Sequence, residues 1–215
     1  MRVLLIILAM CSQAFTQWPN TPDNNLELCI ANSEQAISKI VVREDGGSYV
    51  SWFDNRSGGY DVYMQSIDVE GNLLWQTDGI LIADRNYSWT MDFGLTVDSI
   101  GNAIVVYRKD MLGGDGIVVS SVNQSGAINW HQTVQTGISY VASPVICSSG
   151  DSLFVGWIGN DDSRVQKLNN QGLVQWKLPT IMTDPDGGFY LISDIQPSLN
   201  GDAIASFVQY LSFSG

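Results

Sequence analysis

The stretch that decides the fold reads Ile67-Asp68-Val69-Glu70-Gly71-Asn72-Leu73-Leu74-Trp75, and the chain contains two further copies of its pattern. The other copies run over 122–130 and 168–176, and each has Asn in second place, Gly in fifth and Trp in ninth. An Asp or Asn side chain can hydrogen-bond to the turn backbone, and Gly can adopt a positive φ without a Cβ clash. The pattern therefore predicts a strand, a tight turn and a second strand, followed by a Trp that buries a large flat surface.

Upstream of each copy lies an apolar strand that ends in an aromatic residue, and this strand occurs four times. The aromatics are Trp52, Tyr107, Trp157 and Phe207, so the repeat is roughly 50 residues long, the length of a propeller blade. The strands are apolar or small on both faces, as expected for sheets packed between neighbouring sheets. We therefore predict an all-β fold: a partial β-propeller of about three and a half four-stranded antiparallel blades, with almost no helix in the mature chain.

The repeat also divides the chain into segments. We predict a signal peptide over residues 1–16, an N-terminal segment over 17–36 with one outer strand at 26–31, and propeller blades over 37–215. The blades span 37–83, 91–140, 143–182 and, in part, 190–215. The last blade has only its two inner strands, which leaves an open edge that could pair with another chain. The economical interpretation is a fragment of a longer protein.

The N-terminus carries the pattern of an export signal. A positive start precedes the apolar run Val3 to Met10, which is too short to span a bilayer. Cleavage is expected after Ala14, with Thr16 as the alternative, and Cys11 lies in a faint lipobox in which Met10 replaces the expected small residue. No later stretch is long and apolar enough for a transmembrane segment. We expect an exported protein, secreted or on the cell surface of a bacterium.

The net charge argues against some classes of partner, and the cysteine content raises the question of a disulfide. The formal net charge is −12, from 22 acidic and 10 basic residues, and such a field repels nucleic acids and anionic lipids. We therefore expect no nucleic-acid partner. Cys29 and Cys147 remain in the mature chain, and export permits a disulfide between them. Pairing cannot be deduced from the sequence, and two buried thiols are the favoured interpretation.

The loops after the aromatic-ended strands combine carboxylates with Gly, as some Ca²⁺ sites do. The weak calcium candidates are Asp54, Asp61, Asp110 and Asp115. The acidic residues of these loops do not have the spacing of an EF-hand. Hydrogen bonds within turns, or ion pairs with nearby basic residues, account for the same carboxylates. The single histidine, His131, occupies a position held by Gln76 and Lys177 in the other copies, which indicates a solvated strand position. We expect no metal site, no cofactor and no catalytic residue.

Aromatic residues fall into two groups. Those that repeat, together with the turn glycines, are interpreted as structural: Trp52, Gly71, Trp75, Tyr107, Gly126, Trp130, Trp157, Gly172 and Trp176. Tyr87 and Trp89 do not repeat and lie in the connection between the first two blades. Exposed aromatics on a loop can stack on sugar rings or anchor a protein partner. Tyr87 and Trp89 are therefore the candidate ligand-binding residues.

The first repeat resembles a known class of proteins. Its pattern is Trp52-x-Asp54-x-Arg56-Ser57-Gly58-x-x-Asp61-Val62-Tyr63-x-Gln65, then Asp68-x-x-Gly71-Asn72-x-Leu74-Trp75. This is similar to repeats of large secreted bacterial β-propeller proteins, many of which end in a sorting domain of the type IX secretion kind. The Gly-to-Trp step also resembles tryptophan-docking repeats of quinoprotein dehydrogenases, although the turn is one residue shorter and no quinone-site residue is matched. The resemblance spans 37–207 and implies a propeller and export, but no reaction.

These observations favour an exported, non-catalytic binding or structural module that is part of a larger surface or secreted protein. Its ligand would be a protein or a glycan, bound on the blade rim formed by the loops between the second and third strands and the connections between blades. The alternative is a carbohydrate-active or quinoprotein-like propeller enzyme whose active site needs further blades. Such an enzyme is expected to show convergent carboxylates or a cofactor-stacking Trp near the central axis.

Overall fold

The computed structural model describes residues 25–85, 92–185 and 188–210. These residues form β-strands and no helix, so the described part of the chain has no helix that could cross a membrane. The strands of the first two sheets are β1 (Gln35–Val42), β2 (Ser48–Asp54), β3 (Asp61–Ile67), β4 (Ile80–Ala83), β5 (Phe93–Val97), β6 (Ala103–Met111), β7 (Gly114–Val122) and β8 (Ile128–Ile138). The remaining strands are β9 (Val141–Ser149), β10 (Ser152–Gly159), β11 (Asp162–Asn169), β12 (Thr180–Met182), β13 (Phe189–Pro197) and β14 (Ala203–Tyr210).

The strands form four antiparallel sheets that follow one another along the chain. Three sheets are four-stranded meanders, β1–β4, β5–β8 and β9–β12, and the fourth contains β13 and β14. The first strands of successive sheets contact one another, β1 with β5, β5 with β9 and β9 with β13. These first strands are therefore innermost, and each meander is a blade that radiates outward from them. The described chain is an all-β, incomplete β-propeller.

Apolar side chains between the blades form the core. Phe53 and Met64 of the first blade pack against Phe93 and Val105 of the second in one cluster. A second cluster joins the second blade to the third, and a third cluster joins the third blade to β13 and β14. β2 and β3 are buried along their whole length. Their residues therefore do not alternate between buried and exposed, as residues do in a sheet with one face in solvent.

The turn predicted from the opening stretch is present in each of the three complete blades. The N–H of Asp68 donates to the carbonyl oxygen of Asn72 over 3.0 Å, and the N–H of Gly71 donates to the carbonyl oxygen of Asp68 over 3.1 Å. The turns at 123–127 and 169–173 have the same pair of bonds. The fourth residue of each turn is a Gly with φ of 87°, 87° and 78° in chain order, a conformation that other residues adopt only at a cost.

The Trp that follows each turn reaches the turn of the next blade. The Nε1 of Trp75 donates to the carbonyl oxygen of Gln124 over 3.0 Å, and the Nε1 of Trp130 donates to that of Asn170 over 3.1 Å. Each indole also lies against the Gly of that turn. A Cβ built on Gly172, for example, would come within 2.7 Å of the Trp130 ring. We call this arrangement the tryptophan dock. It joins the outer part of one blade to the edge of the next.

The repeat aromatics of β2, β6 and β10 lie inside these strands rather than at their ends and are buried, but their polar atoms differ. Trp52 and Trp157 are 4% and 0% exposed. The Nε1 of Trp52 donates to the buried carboxylate of Asp54 over 3.1 Å. The equivalent position after Trp157 is Gly159, and the Nε1 of Trp157 has no acceptor among the described residues. A buried donor without a partner lowers stability.

One sequence-based strand assignment is corrected. Residues 26–31, predicted as an outer strand, form no strand. Leu26, Leu28 and Cys29 instead lie against Val50 and Trp52 on the outer face of the first blade, and a segment that lies across a sheet face cannot extend the ladder of backbone hydrogen bonds. The fourth strands of the three complete blades begin at Ile80, Ile128 and Thr180.

Both cysteines are free thiols in the structure. Cys147 is buried, and burial raises the pKa of its thiol to about 11. Cys29 is half-buried in the segment that covers the first blade. The two thiols are therefore unpaired, as the sequence-based interpretation favoured.

The tryptophan dock predicts an unequal response to Ala at two turn glycines. Gly150→Ala places a Cβ in open space at φ +59° and should destabilise the fold by about 1 kcal/mol. Gly172→Ala meets the Trp130 ring at φ +78° and should cost about 1–3 kcal/mol more. Chemical denaturation measures both free energies of unfolding. Equal losses would show that the indole does not require a glycine beneath it.

The two buried indoles predict a second contrast. Trp52→Phe removes a hydrogen bond to a carboxylate and should lower the free energy of unfolding by about 1.5–3 kcal/mol beyond the loss of ring area. Trp157→Phe removes a donor that has no acceptor among the described residues, so it should lose only ring contacts. Chemical denaturation of both variants checks this. A loss for Trp157→Phe as large as that for Trp52→Phe would contradict it.

Candidate functional site

One edge of the blades carries the features that a ligand site needs, and we call it the bulge rim. It contains the connections inside blades at 55–60, 112–113 and 160–161, and the described residues of the connections between blades, at 84–85, 92, 139–140, 183–185 and 188. The inner strands β1, β9 and β13 begin at this edge, because their first residues pair with the last residues of β2, β10 and β14. The five-residue turns with Gly at the fourth position lie at the opposite edge.

Three of the four inner strands are irregular where they leave the bulge rim. The register shifts between Ala36 and Lys39 in β1, beside Ser143 in β9 and at Ser193 in β13. Ile37 and Ser143 adopt positive φ values of 51° and 48°, which is a costly conformation for a β-branched Ile. Bulges redirect side chains and occur often beside functional sites. Here the polar residues Lys39, Ser143 and Asp194 lie at or beside the bulges.

One polar residue of each blade lies on an inner strand or directly before it, and we call these four residues the axial cluster: Lys39, Asp92, Ser143 and Asp194. The Oγ of Ser143 donates to the Oδ2 of Asp92 over 3.4 Å. The ammonium of Lys39 lies 5.1 Å from the centre of the Phe93 ring, so a first-blade side chain reaches over the second blade. Asp194 is anchored by the N–H of Ile195 over 2.8 Å. The cluster therefore presents two carboxylates, one ammonium group and one hydroxyl on the innermost strands.

Charges couple the members of the axial cluster. Desolvation lowers the pKa of Lys39 below its usual value, while the carboxylates of Asp92 and Asp194 act in the opposite direction. All three charged side chains are exposed to solvent. The carboxylates can accept hydrogen bonds from hydroxyl or ammonium groups of a ligand, and Lys39 can donate. This chemistry suits recognition of a polar ligand.

Exposed aromatic side chains flank the axial cluster on the same rim. Tyr140 lies in the connection between blades two and three and is 47% exposed. Phe189 begins β13, after the next connection, and is 42% exposed. The predicted ligand-binding residues Tyr87 and Trp89 belong to the preceding connection but lie outside the described residues. Tyr140 therefore lies in one connection between blades, and Phe189 lies at the start of the strand that follows the next connection.

The weak calcium candidates of the first blade bind protein donors. The carboxylate of Asp54 is fully buried and accepts hydrogen bonds from the Nε1 of Trp52, the N–H of Arg56 and the guanidinium of Arg56. Asp61 accepts a hydrogen bond from the N–H of Arg85 over 2.9 Å. Burial raises the pKa of Asp61. Both carboxylates thus anchor the connections beside them.

The candidates of the second blade flank one buried cation. The guanidinium of Arg108 lies 3.3 Å from the carboxylate of Asp110 and 2.9 Å from that of Asp115. Such a pair neutralises a guanidinium that is 6% exposed. The described residues contain no group of three or more His, Cys, Asp or Glu side chains that could hold a metal ion.

His131 is exposed on β8, and its Nδ1 lies 2.6 Å from the Oγ of Ser120. Ser120 is buried and its Oγ lies 3.0 Å from the hydroxyl of Tyr107. Desolvation, followed by the charge of Lys109, lowers the pKa of His131. A buried Ser is inaccessible to a substrate, so this chain of hydrogen bonds joins β6, β7 and β8 rather than forming a nucleophile.

The comparisons with known proteins add the following. No protein-family model and no curated protein matches the chain. Among solved structures it is similar to a GH43 β-1,3-galactosidase, with a TM-score of 0.47 and 13% identity over 75% of this chain and 36% of that one. It is also similar to an endo-1,5-α-L-arabinanase from Thermotoga petrophila, with a TM-score of 0.46 and 14% identity over 84% and 54%. A third is an endo-1,4-β-xylanase from Bacteroides thetaiotaomicron, at 0.47 and 9% over 87% and 69%.

The chain spans about a third to a half of the length of the first two structures. At these identities and TM-scores, the similarities carry no argument about a reaction, a substrate or a partner. The assignment of a site therefore rests on the geometry of the bulge rim.

The axial cluster was not predicted from the sequence. The signal that could have found it is a polar residue directly before an apolar residue or Pro in three of the inner regions: Asp92 before Phe93, Ser143 before Pro144, and Asp194 before Ile195. Taken singly, these residues read as strand caps or turn residues. Only the contacts between successive inner strands show that they converge.

The Asp54–Arg56 pair predicts a pH dependence of stability. Although burial raises it, the hydrogen bonds from Arg56 and Trp52 bring the pKa of Asp54 to about 2, against about 3.9 in an unfolded chain. Its contribution, about 1–2 kcal/mol, is complete above pH 4 and is lost as the pH falls through 2. The stability difference between the natural protein and Asp54→Asn should therefore shrink between pH 4 and pH 2.

Urea denaturation across this pH range checks the prediction. Asp202→Asn is the matched control, because Asp202 is exposed on a turn at the opposite edge. A difference for Asp54→Asn that stayed constant down to pH 2 would contradict the assignment.

Proposed function

We propose that the protein is an exported, non-catalytic binding module that binds a glycan at the bulge rim. The observation that carries the proposal is the axial cluster flanked by Tyr140 and Phe189 on the same edge of the blades. Aromatic faces bind the apolar faces of sugar rings, and carboxylates, a hydroxyl and an ammonium group can hydrogen-bond to sugar hydroxyls. Tyr87 and Trp89, which lie outside the described residues, stay candidates for binding the same ligand.

Solvent exposure favours binding over catalysis. A carboxylic acid that protonates a leaving group keeps its proton at neutral pH through desolvation, and catalytic dipoles act strongly in sites that exclude water. Asp92 and Asp194 are both exposed. An open surface with hydrogen-bonding groups is typical of recognition, and we therefore prefer a module without its own reaction.

The proposed setting is a larger secreted or cell-surface protein of a bacterium, with the signal peptide at 1–16 directing export. The support is the sequence resemblance of the first blade to repeats of surface proteins sorted by type IX secretion, together with the formal net charge of −12. In such a protein the segments 37–83, 91–140, 143–182 and 190–215 would be successive blades.

A carbohydrate-active enzyme is the second candidate, and one observation favours it. Asp92 of the second blade and Asp194 of the fourth both interact with Lys39 of the first, so two carboxylates converge on the axis. A pair of carboxylates is the usual machinery for glycoside hydrolysis. Further blades would have to exclude water from the pair.

A panel of immobilised and soluble glycans tests the proposal with the full chain. The double variant Tyr140→Ala/Phe189→Ala should weaken binding of the best glycan about tenfold, because two exposed contact surfaces are lost. Leu173→Ala removes an exposed apolar side chain at the opposite edge and should leave affinity unchanged. Circular dichroism confirms that each variant is folded.

Reducing-sugar release separates the two candidates. The binding module releases no reducing sugar, and the double variant Asp92→Asn/Asp194→Asn retains most of its affinity because Asn still accepts hydrogen bonds. The enzyme releases sugar, and either single substitution abolishes release. The proposed surface would be overturned if the chain bound no glycan, or if the Tyr140→Ala/Phe189→Ala variant bound the glycan as tightly as the natural protein.

A further inference from the structure

A cleft of about 360 Å³ opens between the first and second blades. One wall has Ile82 of β4 and Asp84 directly after it, and the other has Lys109, Val118 and His131 of the second blade. Since β4 and β8 are the outermost strands of their sheets, the cleft lies on the outside of the blades, apart from the axial cluster. Its volume is at the lower end of the range for small-molecule sites, so it suits a single small ligand.

The cleft lies where the second blade departs from the repeat. Tyr107 stands where the other complete blades have Trp, and Ser120 stands where they have Gln, each paired with the Val two residues before the repeat aromatic. The larger residues of the other blades are Trp52, Trp157, Gln65 and Gln166. Tyr107 packs toward the first blade. Both replacements therefore reduce the side-chain volume on the face of the second blade that lies toward the first.

Hydrogen bonds fix the tautomer of His131. The hydroxyl of Tyr107 lies 3.0 Å from the Oγ of Ser120, which lies 2.6 Å from the Nδ1 of His131. Burial raises the pKa of Tyr107, so its hydroxyl keeps its proton, and Ser120 is its only partner among the described residues. Tyr107 therefore donates to Ser120, and Ser120 donates to Nδ1. The proton of the neutral imidazole is then on Nε2, which has no acceptor among the described residues.

Lys109 is the cation of this cleft. Its ammonium group forms no ion pair and no hydrogen bond with the residues that the structure describes. Arg108 beside it, in contrast, pairs with Asp110 and Asp115. The charge of Lys109 acts on His131 and contributes to its lowered pKa, so the two side chains lie near each other. One ammonium group and one neutral N–H donor therefore share the cleft.

A carboxylate is the group that suits these two donors. Its oxygens accept hydrogen bonds from both, and a bond between two charged groups is stronger than one between neutral groups. The other lining residues suit a sugar ring, because Ile82 and Val118 offer apolar contact and the exposed carboxylate of Asp84 can accept from hydroxyls. The formal net charge of −12 does not prevent binding, since exposed charges more than about 8 Å away are screened at physiological ionic strength.

We propose that this cleft binds the carboxylate of an acidic sugar, a uronate residue, through the ammonium group of Lys109 and the Nε2–H of His131. The inference rests on the proposed function, because it names a sugar class for a glycan-binding module and adds a second subsite beside the bulge rim. Tyr107 and Ser120 are positioning residues, which hold the imidazole in the tautomer that donates from Nε2.

The probes are D-galacturonate and D-galactose, which differ by a carboxylate in place of a hydroxymethyl group. His131 is the only histidine of the chain, so proton–nitrogen correlation NMR of the untagged full chain reports on one imidazole. At a pH where this ring is neutral, galacturonate should shift the Nε2 signal saturably. Galactose should bind at least tenfold more weakly, because it lacks the charged acceptor. Acetate supplies a carboxylate without a ring and should also bind at least tenfold more weakly.

Three variants test the assigned roles. Lys109→Gln should weaken galacturonate binding about tenfold, because a hydrogen bond between charged groups is lost. The matched control, Lys177→Gln, removes the same charge from an exposed residue of the third blade and should leave affinity unchanged. Ser120→Ala removes the donor to Nδ1, so the form of His131 protonated on Nδ1 should appear in the nitrogen spectrum. A purely structural role of Ser120 would leave the tautomer unchanged.

The inference is overturned if galacturonate leaves the Nε2 signal unchanged, if galactose or acetate binds as tightly, or if Lys109→Gln and Lys177→Gln bind galacturonate equally. The proposed function fails separately. A glycan bound through Tyr140 and Phe189, without any binding of galacturonate, would support the bulge-rim surface and overturn the cleft alone. Galacturonate binding that is lost in Lys109→Gln but unchanged in Tyr140→Ala/Phe189→Ala would support the cleft even if no other glycan bound the rim.

Discussion

The tryptophan dock is the interaction on which the arrangement of the blades depends. Apolar contacts between blade faces are not directional, because area burial alone permits sliding. The hydrogen bond from an indole Nε1 to one turn carbonyl, made over 3.0 and 3.1 Å, fixes the position of the next blade. A Gly at positive φ leaves room for the ring, so the turn chemistry and the packing of blades cannot vary independently.

The turns and the strands that contain the repeat aromatics could be predicted from sequence because each has a local cause. The Asp68 to Asn72 turn follows from Asx and Gly chemistry, and the four predicted apolar strands with an aromatic residue are present as β2, β6, β10 and β14. The segment at 26–31 was wrongly predicted, because apolar residues that cover a sheet face have the same local pattern as an edge strand. The axial cluster depends on bulges beside Ser143 and Ser193, which are features of register between two strands and leave no mark in either strand alone.

The blades differ most in the polar residues at the bulge rim. In the first blade Trp52, Asp54 and Arg56 form a closed hydrogen-bonded group beside Cys29 of the covering segment. In the third blade Gly159 stands where Asp54 does, and the buried indole of Trp157 has no acceptor among the described residues. A fold in which most stability comes from apolar area tolerates such a loss. The bulge rim is therefore free to diverge between blades while the opposite edge keeps its turns.

The tryptophan dock also implies an order in which the blades become stabilised during synthesis. The donor and acceptor are 49 residues apart in the first dock and 40 in the second, and the donor always comes first. During synthesis, a blade emerges with its Trp in place but acquires the partner turn only when the next repeat has been made. Each unit is then stabilised by its successor, as in other linear repeat proteins, and assembly advances from the N-terminus by a series of similar, short-range steps.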